Sequence, residues 1–290
     1  MKVTLRDKIS KETLEELYVQ QGRSIGEIAK LCGCGYGSIS RLMSEYGIGK
    51  RSSKQGLALH FKRNTNFDVE FFKQESPEFF YILGLWASDG CVTKDGGLKL
   101  TMCDIDVVEW VKERIGYKNK VFVRIPTGFQ NAKTTYTLTF YNQEVAGIFE
   151  GYGIVPNKSL TIKFPNIPRQ FIHDFIRGVF DGDGSISVGV RSDNGARTQS
   201  FRIVSGSLDF VKGIERVLEE ELNVRGNKIS ADKRGAGVYE YRVSRRQDVA
   251  KIAAWLYQND AFGMKRKKEK MLQVLSDARQ ERRYEVGKAV

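Results

Sequence analysis

Two aspartates stand at matching places in a repeated segment. FFYILGLWASDGCV (Phe79–Val92) and DFIRGVFDGDGSIS (Asp174–Ser187) align Gly84 with Gly178, Asp89 with Asp183 and Gly90 with Gly184. Each copy is an apolar helical pattern running into Asp-Gly. Gly84 and Ser88 are four residues apart, as are Gly178 and Gly182, so each helix carries a stripe of small residues. Helices paired through such stripes approach closely, because no side chain holds their backbones apart. Their C-terminal ends then lie side by side, and Asp89 and Asp183 converge. Two carboxylates driven together repel unless a proton or a cation sits between them. The free carbonyls of the helix ends add partial negative charge. Oxygen-only ligands of this kind favour hard divalent ions, Mg²⁺ first, with Mn²⁺ or Ca²⁺ as substitute occupants. A single Asp-Gly would be no more than a good turn after a helix; the pair carries the inference. DGDGS does not open an EF-hand loop, since its sixth position is Ile186 rather than Gly and its twelfth is Ser192 rather than Glu.

The elements around each motif repeat in the same order. After the first, strands are predicted around 91–103, then a helix with Val107, Val108, Trp110, Val111 and Ile115 on its apolar positions. Strands near 119–125 and 134–141 and a helix over 142–151 follow. After the second, strands near 185–191 and 199–206 precede a helix over 208–222, strands near 227–233 and 238–244, and a helix over 247–258. The fold class is α+β: a duplicated α-β-β-α-β-β-α unit with pseudo-two-fold symmetry, its halves at 76–168 and 169–290.

The first 48 residues form a smaller, all-α domain of helix-turn-helix character. Ser24 and Glu27 make a capping box before IGEIAKL, with Ile25, Ile28, Ala29 and Leu31 as its apolar stripe. Gly33 makes the turn, and a third segment faces Ile39, Leu42 and Met43 inward. Tyr36, Ser38, Ser40 and Arg41 then point outward toward a major groove. A three-helix packing module fits the same stripes. Gly35 and Gly37, each costing ~1 kcal/mol of helix propensity, weaken the start of the recognition helix. Residues 49–75 are read as a linker, lying along a phosphate backbone or merely flexible.

ILGLWASDG and IRGVFDGDG resemble the two motifs of the LAGLIDADG homing endonucleases in their two-copy, single-chain form, over about residues 77–275. The resemblance implies that the motif helices form the central interface, with Gly84, Ser88, Gly178 and Gly182 at the contact. It implies that Asp89 and Asp183 bind divalent metal at the scissile phosphates, with the backbone carbonyls of Ser88 and Gly182 as further ligands. The first copy departs at its sixth position, where Ala87 stands in place of the second copy's Asp181. The family also places a lysine near each metal. GIVPNKS (Gly153–Ser159) and AFGMKRKKEK (Ala261–Lys270) resemble those segments and point to Lys158 and Lys265 as catalytic, with Lys267 the competitor for the second place. The implied activity is metal-dependent hydrolysis of one phosphodiester per strand at a long asymmetric site, leaving 3′ overhangs.

Alternation along the strands leaves one face apolar and the other rich in Thr, Lys and Arg. Leu98, Leu100 and Met102 alternate with Lys99 and Thr101, and Tyr136, Leu138 and Phe140 with Thr135, Thr137 and Thr139. Phe201 and Ile203 flank Arg202, and Tyr241 and Val243 flank Arg242. A half-exposed sheet has the same look, but donors of this kind suit major-groove readout. With Arg124, Arg191, Lys228 and Lys267 they make the expected DNA-binding set.

Composition agrees with a polyanionic partner. Lys and Arg number 47 against 35 Asp and Glu, a formal net charge of +12, with 41% hydrophobic residues, enough for a substantial core. The expected partner is double-stranded DNA, bound by a monomer. RNA is the partner if the chain is instead a splicing maturase, and a non-cleaving DNA-binding regulator is the other alternative. Regulators on this fold are expected to lack the motif acids, which are present here. No apolar run reaches the ~20 residues of a membrane span, and Met1–Ser10 is too charged for a secretory signal. The expected setting is cytoplasmic or organellar, not secreted. Four cysteines, two of them in the C-x-C of Cys32 and Cys34, make neither a disulfide scaffold nor a zinc site. His60 and His173 stand alone as structural or surface residues. No splicing-domain sequence flanks the duplicated unit, so a complete intein is not expected.

Overall fold

The computed structural model describes residues 5–53, 55, 56, 59, 66–126, 133–193, 195–231 and 237–288. The chain divides into two compact units, residues 1–65 and 66–290. His60 lies outside the described residues.

In the first unit, α1 (Leu5–Lys8) is followed by α2 (Lys11–Glu15), which runs on as a π-helical turn over Glu16–Gln20. α3 (Ile25–Leu31) starts on the Ser24–Glu27 box, with Glu27 N donating to Ser24 Oγ at 3.1 Å and Ser24 N to Glu27 Oε2 at 2.7 Å. A left-handed Gly33 leads to α4 (Tyr36–Glu45). Gly35 is the extended N-cap of α4 and so costs the helix nothing. Leu14, Tyr18, Ile25, Ile28, Ile39, Leu42 and Met43 form the core. Leu31 corrects the predicted stripe: it is 60% exposed, since Ile25, Ile28 and Ala29 already fill the inward face and α3 ends there. Arg51 ties the following segment to this unit. Its guanidinium lies 3.9 Å from the Tyr18 ring centre and donates to the carbonyls of Gly22 and Tyr18.

In the second unit, Phe67 and Phe72 join the main core, so the chain from Asn66 onward packs with this unit. α5 (Pro77–Ser88) has Ser76 as N-cap and Pro at its first position. It leads into β1 (Gly90–Val92), β2 (Gly97–Met102), α6 (Ile105–Arg114), β3 (Phe122–Arg124), β4 (Thr135–Tyr141) and α7 (Gln143–Gly151). The second copy is α8 (Ile172–Asp183), β5 (Gly184–Val190), β6 (Arg197–Ser205), α9 (Leu208–Leu222), β7 (Ser230–Ala231), β8 (Tyr239–Val243) and α10 (Arg246–Leu256). The strands make two antiparallel sheets of the same plan, β1-β2-β4-β3 and β5-β6-β8-β7. The expected duplication is present. A further helix, α11 (Lys265–Lys288), follows the second copy. No described helix is long and apolar enough to cross a membrane.

Each sheet buries one face. Leu98, Leu100 and Met102 are inside while Lys99 is exposed, and Phe201, Ile203, Tyr241 and Val243 are inside on the other sheet. Register pairs Thr101 with Thr137 and Arg202 with Arg242.

Candidate active site at the paired motif helices

α5 and α8 pack backbone to backbone. A methyl group on Gly84 would stand 2.1 Å from Phe175 O, and one on Gly178 would stand 2.1 Å from Tyr81 O. Nearer the C-terminal ends, a methyl on Gly182 would overlap Ser88 Oγ at 2.0 Å and come within 3.3 Å of Asp89 Oδ2. The four small residues are therefore in contact, and they bring Asp89 beside the end of α8. Asp89 is the C-cap of α5, and Asp183 is the last residue of α8.

The glycine after each aspartate is also fixed by space. A side chain on Gly90 would meet Trp86 Cα at 2.5 Å, and one on Gly184 would meet Phe180 O at 2.5 Å. The chain folds straight from helix end to strand, so Asp-Gly here is tighter than an ordinary turn.

Burial raises the Asp89 pKa above the usual carboxylate range, opposed by the charges of Lys267 and Lys158. Asp183 is pushed up to about 6, first by burial and then by the negative charge of Asp89, again opposed by Lys158 and Lys267. Two carboxylates that repel and two ammoniums that moderate them thus share one cleft.

Lys158 stands in a 3₁₀ turn over Lys158–Leu160, and Lys267 in the first turn of α11. Lys158 is 5% exposed and donates to Gly90 O at 2.8 Å. Lys267, 4% exposed, donates to Phe180 O and Asp181 O at 2.7 Å and to Gly182 O at 3.2 Å. It caps the carbonyl end of α8 with a full charge. Burial lowers both lysines, Lys267 to about 8. This corrects the expectation for Lys265. Lys265 is exposed, because two residues along a helix turn a side chain about 200° away.

Asp181, the acid missing from the first motif, is fully buried. Its Oδ2 accepts from Tyr81 OH and Met264 N, both at 2.8 Å, and its Oδ1 from Tyr257 OH at 3.5 Å. It joins both motif helices to the start of α11. Arg177, buried in the same helix, pairs with Asp174 at 2.7 Å and donates to Leu256 O at 2.9 Å. Arg and Asp inside an apolar motif helix were the available signal for this polar side.

The donor set is oxygen-only. Among the described residues there is no group of three or more His, Cys, Asp or Glu able to hold a metal. Two neighbouring carboxylates beside helix-end carbonyls suit a hard divalent cation and not a zinc or copper site.

The expected DNA-facing residues divide. Lys99, Arg124 and Lys228 are exposed, as are Tyr36, Ser38 and Arg41 on α4, while Ser40 and Thr135 are partly exposed. Thr137 is a correction: it is 8% exposed, with its hydroxyl 2.9 Å from that of Thr101. Arg202 and Arg242 both bind Glu240, and Arg202 also donates to Ser185 Oγ, so register consumes part of their donor capacity. Arg191 is paired with Asp193 at 2.9 Å.

Residues 170–255 match the family model described as LAGLIDADG-like domain. A curated relative is a probable translation initiation factor IF-2 of Methanocaldococcus jannaschii, 23% identical over 225 residues. That match covers 74% of this chain but 17% of the relative, so the chain spans about a sixth of its length. Similar solved structures include meganuclease I-SmaMI bound to uncleaveable DNA, at 16% identity, 72% of this chain, 91% of that one and TM-score 0.49. LAGLIDADG meganuclease I-AabMI bound to uncleaved DNA follows at 14%, 72%, 92% and 0.47. Full-length DUF199/WhiA from Thermatoga maritima stands at 12%, 74%, 68% and 0.46. Residues 170–255, which hold the second motif copy, are thus similar to the LAGLIDADG-like domain, within a duplicated fold built around the two motif helices.

Proposed function

We propose that the chain is a site-specific double-strand DNA endonuclease that hydrolyses one phosphodiester per strand and leaves 3′ overhangs. What supports this most is the pairing of Asp89 and Asp183 at one tight helix crossing, with Lys158 and Lys267 buried beside them. The family's DNA-cutting members give the chemistry its direction. Mg²⁺, held by Asp89 and Asp183 with the carbonyls of Ser88 and Gly182, would neutralise phosphate and acidify a bound water. The protein's own part is to bring the two acids together at the crossing. Lys158 and Lys267 place positive charge where negative charge builds on the attacked phosphate.

Binding rests on the net charge of +12 and on the polar sheet faces. Lys99, Arg124 and Lys228 are the exposed donors of that surface, and α4 carries the corresponding residues of the first unit. The protein acts as a monomer, since one chain contains both halves of the site.

The test is incubation of purified protein with Mg²⁺ and a duplex library that includes DNA flanking its own gene. Double-strand cuts with 3′ overhangs are expected, lost in Asp89→Asn and Asp183→Asn with duplex binding kept. Wild-type protein that binds duplex and never cuts it in Mg²⁺ or Mn²⁺ overturns the proposal in favour of a regulator. Activity confined to RNA splicing makes it a maturase.

A further inference from the structure

α11 begins at a place where its first backbone donors lack carbonyl partners within the helix. Two carboxylates from opposite halves of the fold supply acceptors. Met264 N donates to Asp181 Oδ2 at 2.8 Å, and Lys265 N donates to Asp106 Oδ2 at 2.8 Å. Asp106 lies in the first turn of α6, in the first half. The next residue of α11 is held from the same place: Arg266 forms a two-point pair with Asp104, Nε to Oδ1 at 2.7 Å and Nη2 to Oδ2 at 3.0 Å. Just before α11, Phe262 stacks on Trp110 of α6 with ring centres 4.3 Å apart and planes 8° from parallel. Lys267 follows, with its ammonium on the carbonyls of Phe180, Asp181 and Gly182.

We propose that Asp104 and Asp106 of the first half are positioning residues for Lys267, the cleft lysine of the second half. The segment from Phe262 to Arg266 meets α6 at three successive points. Each fixes a different degree of freedom. The ring stack sets distance, the Asp106 contact sets the height at which the helix starts, and the two-point Arg266 pair sets its rotation. Rotation matters most, because Lys267 reaches the end of α8 only in one phase of the helix, and Lys265 points away in that phase. The Asp104–Arg266 pair is half open to water and contributes little stability by itself. Its planar fork nevertheless restricts orientation, which a single contact does not do. The equivalent lysine of the other half, Lys158, sits in a short 3₁₀ turn and, among the described hydrogen bonds, has the Gly90 carbonyl as its acceptor.

This inference rests on the assignment of Lys267 to the nuclease cleft, so its test has one readout that needs no cleavage. The full chain is treated with an amine-acylating reagent, and modification of each lysine is followed by mass spectrometry. Lys158 serves as internal reference for general loosening. Asp104→Ala and Asp106→Ala are expected to raise the Lys267 modification rate about tenfold with that of Lys158 unchanged, as a shift of the helix frees its ammonium. Asp106→Asn, which keeps an acceptor oxygen, restores protection. With a cleavable duplex, the same alanine variants lower the single-turnover rate by about tenfold to a hundredfold, with duplex affinity little changed. A wild-type chain that fails to cut while the labelling changes as expected removes the nuclease assignment and leaves the positioning role standing. Unchanged Lys267 labelling in both alanine variants overturns the positioning role, as does an equal rise at Lys158.

Discussion

Gly84 and Gly178 meet face to face at the crossing of the two motif helices, and each stands where the other helix's backbone leaves no room for a methyl group. The pair therefore fixes the distance between α5 and α8, and with it the distance between the aspartates at their ends. The spacing of the two aspartates is thus set about one and a half helical turns away from them.

Gly178→Ala is expected to cost about 3 kcal/mol or more, the upper range for overpacking, because the clash is with a carbonyl oxygen that cannot rotate away. Gly84→Ala should behave alike, by the symmetry of the crossing. Urea unfolding of the two variants measures this. A change below about 1 kcal/mol would mean the helices separate easily and do not define the cleft.

Asp181→Ala removes the acceptor shared by Tyr81 OH and Met264 N in a fully buried place. A loss of about 3–5 kcal/mol is expected, since two buried donors are left without partners. Asp181→Asn retains one carbonyl oxygen and should cost visibly less. The equivalent Ala87 sits in an apolar setting and has no such network, so Ala87→Asp is expected to destabilise as well, by burying a lone acid. Thermal melts of the three variants order these effects.

Lys267→Met should lower single-turnover cleavage by about a hundredfold or more, as loss of a preorganised charge at a reacting centre does. Lys265→Met is expected to cost much less, because its side chain is outside the cleft. Rates measured with saturating protein separate this from any effect on duplex affinity. Equal losses in both variants would contradict the placement of Lys267.

Much of this arrangement is legible in the chain. The small-residue stripes, the Ser24–Glu27 box and the alternation of Leu98, Leu100 and Met102 are local patterns with a fixed period, and the structure keeps them. Contacts that depend on register or phase are not legible. Thr137 alternates like a surface residue, yet its pairing with Thr101 buries it. Arg202 and Arg242 look free until β6 and β8 align them on Glu240. Choosing Lys267 over Lys265 requires knowing where α11 begins, and that is decided by Asp106 and Asp181, far away in sequence.

His173 supplies a pH dependence that is independent of the cleft chemistry. It is half-buried at the start of α8, against the Trp255 ring, with Nε2 3.3 Å from Asp174 Oδ2. Burial holds its pKa below the ordinary 6.5; the Asp174 charge opposes this and the Arg177 charge adds to it. The unfolded chain therefore binds more protons at this residue than the folded one as pH falls through about 6.5, and stability is lost in that direction. Asp174 acts with the opposite sign, because burial raises its pKa from 3.8 and the folded form holds its proton more tightly. Comparing wild type with His173→Gln isolates the histidine. The wild-type chain should lose more stability than the variant between pH 7.5 and pH 5.5, with the two parallel above pH 7. Urea midpoints at both pH values measure it, and identical slopes would show that the folded imidazole takes up its proton as freely as the unfolded one.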